Sequence, residues 1–135
     1  MAELTHQIQE AERYLSNARN ILSEKAEKDG RYYNDSKYVK LAGHAAWSAV
    51  LVALDAVLNV KNNLKKNQRP DIKDYQSAIV KKDSKMLRPL LNAYSSLHLT
   101  LGYDGNTDYR IVQASLDEAK YIIDWAAKHY KQAAA

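Results

Sequence analysis

The sequence predicts an all-α fold, an antiparallel bundle of four longer helices plus one short helix in a single domain over 1–135. Three observations carry that prediction. Glycine (4) and proline (2) are scarce, so chain-breaking punctuation is sparse. Apolar residues recur at steps of three and four over long stretches, the period of a helix face. No segment alternates apolar and polar residues as a half-buried strand does, and no internal repeat is visible.

The first helix is expected over 3–28, with Leu4, Ile8, Ala11, Leu15, Ala18 and Leu22 in one stripe. Asp29-Gly30 ends it, Gly30 serving as a left-handed cap. After the short turn GRYYND, Asp35 or Ser36 caps a second helix running to about Lys66. Its polar residues Lys37, Lys40, His44, Ser48, Asp55, Asn59 and Asn62 fall on one narrow line. A helix with so thin a polar stripe is packed on most sides, and its alanines admit close neighbours. The connection KKNQRPD (65–71) follows, Pro70 holding Arg69 extended. Asp71 caps a short helix over 72–81, and Asp83 or Ser84 a fourth over 85–101. Met86, Leu90, Tyr94, Leu97 and Leu101 make the inner face of that fourth helix, and Pro89 predicts a kink or a late start. Asn106 or Thr107 caps a last helix to about 131, with Val112, Leu116, Ala119, Ile122, Ile123, Ala126 and Tyr130 facing the core.

At 135 residues, 46% of them apolar and 27% charged, the chain can build one core without staples. The absence of cysteine excludes disulfides, thiol nucleophiles and thiolate metal clusters. The opening MAELTHQIQEAER has neither the basic nor the apolar region of a secretion signal. The most apolar run, 41–60, contains His44, Ser48, Asp55 and Asn59 and reads as a central bundle helix, not a membrane span. A cytoplasmic protein without a membrane partner is the resulting expectation. Ten tyrosines beside no phenylalanine, and the tail KQAAA, raise an engineered chain as an alternative to a natural one.

Several sites suggest themselves. Asp104-Gly105-Asn106-Thr107-Asp108 resembles the start of a calcium loop, with oxygen ligands at positions 1, 3 and 5. Position 6, which needs Gly, is Tyr109, and position 12, which needs a bidentate Glu, is Ser115. The stretch is better read as a helix stop, a turn and a helix start, or as a recognition loop using Tyr103, Tyr109 and Arg110. The four histidines are scattered; only His6, with Glu10, has a metal-capable neighbour one turn away, so no metal site is expected. No phosphate loop or nucleophile turn is present, and no catalytic residue or cofactor is assigned. Asp55 interrupts an apolar run and is placed on the solvent stripe with His44 and Ser48.

Charge is more informative. The whole chain is +4, yet between 61 and 88 nine basic residues (Lys61, Lys65, Lys66, Arg69, Lys73, Lys81, Lys82, Lys85, Arg88) face three acids (Asp71, Asp74, Asp83). Such a basic lobe attracts nucleic acid or an acidic protein surface, or simply solvates the fold. On the last helix Tyr121, Trp125 and His129 follow at four-residue steps, either sealing the bundle against the first helix or presenting a partner site.

The segments AERYLSNARNIL (11–22), YVKLAGHAAWSAVLVALDAVL (38–58) and HLTLGYDGNTDYRIVQASLDEAKYIIDWA (98–126) together resemble HEPN-type helical bundles, and more closely an uncharacterised family of small bacterial proteins of that kind. The resemblance implies the bundle, and with it dimerisation or nucleotide-related binding. HEPN ribonucleases carry an Arg followed four to six residues later by His on a late helix. Here Arg88 precedes His98 by ten residues, and no His follows Arg110 before His129, which speaks against RNA cleavage. Two readings result. One is a non-enzymatic module, natural or engineered, that binds a protein with an acidic or polar surface or cleft through Tyr103, Tyr109, Arg110, Tyr121 and Trp125. The other is a HEPN-like protein that binds RNA or a nucleotide through the basic lobe without cleaving it.

Overall fold

The computed structural model describes residues 2–58, 60, 64–65 and 67–134, with side chains between His6 and Tyr130. Among the described residues, five helical rods form the all-α fold. α1 (Ala2–Glu24) leads into a two-residue hairpin, β1 (Lys28–Asp29) and β2 (Tyr32–Tyr33), and then into α2 (Ser36–Val57). The short α3 (Ile72–Lys82) is followed by a 3₁₀ turn (Ser84–Met86) and α4 (Leu87–Ala93). α4 continues without a break as a π-helical segment (Tyr94–Tyr103), and α5 (Tyr109–Ala134) closes the fold.

Patterning explains the core. Of the stripes read from periodicity, Ile8, Ala11, Leu15, Ala18 and Leu22 of α1 and Val112, Leu116, Ala119, Ile122, Ile123 and Ala126 of α5 are buried; Tyr130 is half-buried, and the Leu4 side chain lies outside the described ones. Central α2 packs against α1, α5 and the π segment. Its composition and length would allow a membrane crossing, but Val39, Ala42, Ala46, Ala49, Val50, Ala53, Leu54 and Ala56 are buried inside the bundle, while Leu41 is exposed.

Aspartates start the helices because their carboxylates accept otherwise unpaired N–H groups. Asp35 accepts from Lys37 N–H at 3.0 Å, and Asp71 and Asp74 form a reciprocal capping box. Asp83 accepts from Lys85 N–H at 3.2 Å. Pro89 sits in the first turn of α4, where no backbone donor is needed, which accounts for the late α-helical start.

Four expectations need correction. α1 ends at Glu24 instead of 28, because Lys28–Asp29 pairs with Tyr32–Tyr33. Gly30 (φ +62) is therefore the first loop residue of the hairpin, where a II′-type turn takes Gly, and not a helix cap. α2 stops at Val57, not near Lys66: Leu58 is extended, and Leu58 and Val60 turn inward and are buried, so tertiary burial overrides helix propensity. Asn59, Lys61, Asn62 and Lys66 lie outside the described residues. The last helix is capped by Asp108, whose carboxylate accepts Arg110 N–H at 2.9 Å, while Asn106 only supports the turn by accepting Asp108 N–H.

Candidate functional site

Two places gather the residues singled out from the sequence. The first is the corner where the hairpin meets the start of α5. Backbone bonds tie them: Tyr33 N–H to Thr107 O at 2.9 Å and Tyr109 N–H to Arg31 O at 2.8 Å. Arg31 Nη2 reaches Asp108 Oδ2 at 2.7 Å and its Nε the same oxygen at 3.1 Å. Asp108 is buried, and the Arg31 hydrogen bond holds its carboxyl below the usual carboxylate range against the upward push of burial. The Arg110 backbone N–H adds to the lowering. The carboxylate at position 5 of the calcium-like stretch is thus bonded to a guanidinium. Ser115, at the twelfth loop position, is buried and donates its hydroxyl to Ile111 O at 2.7 Å. Among the described residues no group of three or more His, Asp or Glu is arranged to hold a metal ion.

The second place is the face shared by α2 and the π segment. Gly43 makes it possible: a Cβ there would lie 2.6 Å from Leu101 Cβ and 2.8 Å from the backbone at Gly102 and Leu97. With the two backbones this close, His44 lies against Gly102. Tyr94, His98 and Tyr103 follow at steps of four and five residues, and i→i+5 winding keeps such steps on one face. In an α-helix Tyr103 would point roughly half a turn (about 180°) from Tyr94, at about 100° per residue. Here the His98 ring centroid stands 5.3 Å from both Tyr94 and Tyr103, 6.1 Å from Trp47 and 6.2 Å from His44. Trp47 is buried, whereas His44 and Tyr103 face outward, Tyr103 at 64% exposure.

His98 Nδ1 is buried and has no hydrogen-bond partner among the described residues. Burial, and secondarily the neighbouring His44, lowers the His98 pKa, so its ring resists the proton. A long π segment is rare and recurs at functional positions, and an unpaired buried polar atom is costly to keep. Both features coincide at His98.

The histidines are therefore not all scattered: His44 and His98 meet through tertiary contact. The signal available in sequence was Gly43 beside His44, with Tyr94, His98 and Tyr103 at mixed spacing, which fits no α-helical stripe. Of the five expected anchors, Tyr103 joins this face. Tyr109 lies at the corner, its ring 5.9 Å from Tyr33, with Lys28 Nζ 4.2 Å above it. Arg110 is exposed beside it. Tyr121 is 59% exposed further along α5. Trp125 is half-buried, with Nε1 donating to Asp83 Oδ2 at 3.1 Å and its ring 4.3 Å from His129. It seals α5 against the α3–α4 junction, not against α1. Tyr109 and Trp125 stand roughly 24 Å apart along α5, so the five do not form one patch.

In the basic lobe Lys65, Arg69, Lys73, Lys81, Lys82, Lys85 and Arg88 are exposed, and Lys61 and Lys66 fall outside the described residues. Tyr75 is buried there and donates its hydroxyl to Asp55 at 2.8 Å. Burial first, then this bond, pushes the Tyr75 pKa up. Asp55 is accordingly half-buried and joins α2 to α3, correcting its placement on the solvent stripe.

A search of curated proteins gives no match. Among solved structures, the chain is similar to a protein of unknown function from Dyadobacter fermentans, with 38% identity and a TM-score of 0.80 over 93% of this chain and 96% of that one. Residues 6–128 match the family model described as Domain of unknown function (DUF5618). The chain therefore belongs to the DUF5618 family, a small uncharacterised family.

Proposed function

We propose that the chain is a non-enzymatic protein-binding module whose contact face is the exposed stripe of α2 together with the aromatic row of the π segment. The observation carrying this reading is the alignment of Tyr94, His98 and Tyr103 against His44 and Trp47, with Tyr103 left 64% exposed. Aromatic side chains held by packing contribute large contact area at small entropic cost. Lys37 and Lys40 are exposed on the same stripe of α2 as His44, so a partner with an acidic surface is the complementary one. The expected test is affinity capture from bacterial lysate on wild-type protein, Tyr103→Ala and Tyr121→Ala. A partner released by raised salt and lost with Tyr103→Ala, but kept by Tyr121→Ala, supports this face. Capture unchanged by Tyr103→Ala overturns it, and retention of a second copy of the chain identifies a homodimer.

A second reading, the HEPN-like one, is RNA or nucleotide binding through the basic lobe. It is favoured by Lys73, Lys81, Lys82, Lys85 and Arg88, which are exposed and make no ion pair among the described residues. Asp71, Asp74 and Asp83 meanwhile cap helices. Retention on RNA that falls steeply with salt supports it. With Tyr75 buried, the lobe offers no aromatic platform for stacked bases, so the protein-binding reading leads. Identity of 38% to a protein from Dyadobacter fermentans over 93% of the chain favours natural descent over an engineered origin.

A further inference from the structure

We propose that the cleft between α1, the hairpin and α5 binds a small molecule carrying a phosphate monoester. The cleft, of about 430 Å³, is lined by Arg19, Ser23, Lys28, Tyr33, Tyr109 and Gln113 among others, and no described lining residue is Asp or Glu. That volume suits a small organic ligand and exceeds what a bare inorganic anion fills. Its charged lining groups, Arg19 and Lys28, are both donors.

Arg19 is held loosely. Its Nη1 stands 3.5 Å from Gln113 Oε1 and its Nη2 3.4 Å from Asp117 Oδ1, both long for charge-assisted bonds, and Asp117 lies outside the lining. Arg31, on the neighbouring hairpin, is by contrast committed to Asp108 at 2.7 Å. The planar fork of Arg19 therefore remains able to turn to a phosphate. Lys28 rests over the Tyr109 ring at 4.2 Å, and among the described residues no carboxylate lies within ion-pair distance of it. Tyr33 accepts a hydrogen bond from Gln113 Nε2 at 3.1 Å, which leaves its own hydroxyl proton to donate. Burial raises the Tyr33 pKa, so that proton is retained at neutral pH. Two cations match a dianion better than a carboxylate, and the tilted Tyr33–Tyr109 pair offers ring surface to the organic portion.

The test is a backbone-amide NMR titration of the whole chain with phenyl phosphate, inorganic phosphate and benzoate. Phenyl phosphate is expected to shift the resonances of Lys28, Tyr33, Tyr109 and Gln113 and to bind more tightly than the other two. Lys28→Gln and Arg19→Gln should each weaken it about tenfold, the scale of one charge-assisted contact. Tyr33→Phe should weaken it less. Lys28 is exposed, so its variant folds and keeps the test informative should Arg19→Gln prove unstable. Absence of shifts at these residues, equal shifts at Lys81 and Lys82, binding of benzoate as tight as phenyl phosphate, or indifference to Lys28→Gln each overturns the assignment. Tyr103 plays no part in this cleft, so loss of the protein-binding reading leaves the outcome unaffected.

Discussion

At the hairpin–α5 corner, charge is answered by charge: Arg31 meets Asp108, and Asp108 also caps a helix. On the α2–π face the opposite holds. There an imidazole nitrogen is buried without a hydrogen-bond partner among the described residues, a helix is wound in its rarer form, and a tyrosine stands in solvent. Satisfied polar networks fix a fold, whereas an unsatisfied group beside exposed aromatics is retained at a cost to stability. The Arg31–Asp108 pair is architectural, whereas the α2–π face is available.

The largest effect that could break this comparison is expected from Gly43→Ala. The new methyl would collide with Leu101 and with backbone at Gly102 and Leu97, which cannot rotate away. A loss of about 3 kcal/mol in urea unfolding is expected, the upper range for overpacking. A neutral result would mean that the close approach is not structural.

Next comes Asp108→Asn, which removes the charge facing Arg31 while keeping a capping side chain. It should lower the melting temperature at neutral pH. In the wild type, the depressed pKa of Asp108 contributes stability above the ordinary carboxylate value of ~3.9, lost as pH falls through the lower folded value. The variant should therefore show a flatter acid limb. An unchanged limb would remove Asp108 from the account.

His98→Phe sharpens the contrast from the other side. Removing the unpaired nitrogen should leave stability equal or raise it by about 1 kcal/mol. Because the His98 pKa is lowered, the unfolded chain takes up a proton that the folded one resists. Stability is then complete above the ordinary imidazole value of ~6.5 and declines as pH falls below it. Urea midpoints at about pH 7 and about pH 5 should differ less in the variant than in the wild type. Equal differences would show that His98 does not titrate in this way.

Smallest in stability is Tyr103→Ala, expected within ~0.5 kcal/mol of wild type, because its side chain is mostly in solvent. Its effect belongs to partner affinity, where an anchor is worth ~2 kcal/mol or more. A large loss of stability would place Tyr103 among the structural residues.

The bundle was legible because its helices obey a single period: Leu15 and Ala18, or Leu116 and Ala119, announce their faces at fixed spacing. Aspartate caps at 35, 71 and 83 were legible from local chemistry. The π segment was not, since Leu97 and Leu101 keep an ordinary helical step within it, and only the mixed spacing of Tyr94, His98 and Tyr103 departs from an α-helical stripe. The His44–His98 pairing is tertiary, set by the absent side chain of Gly43. The phosphate cleft draws on α1, the hairpin and α5, residues that no local pattern joins. Trp125 and Asp55 were visible as anomalies, but their partners Asp83 and Tyr75 lie on other helices.

The backbone clasp between the hairpin and the start of α5 also bears on the order of assembly. It joins segments 77 residues apart in the chain, judged by the Arg31–Asp108 pair it encloses. Closing so long a loop carries an entropic cost before any of its bonds form, while the hairpin that folds α1 back on α2 is local. The α1–α2 pair is thus positioned to form early and the clasp late. Until it closes, the last helix is held to the growing core by its apolar stripe alone.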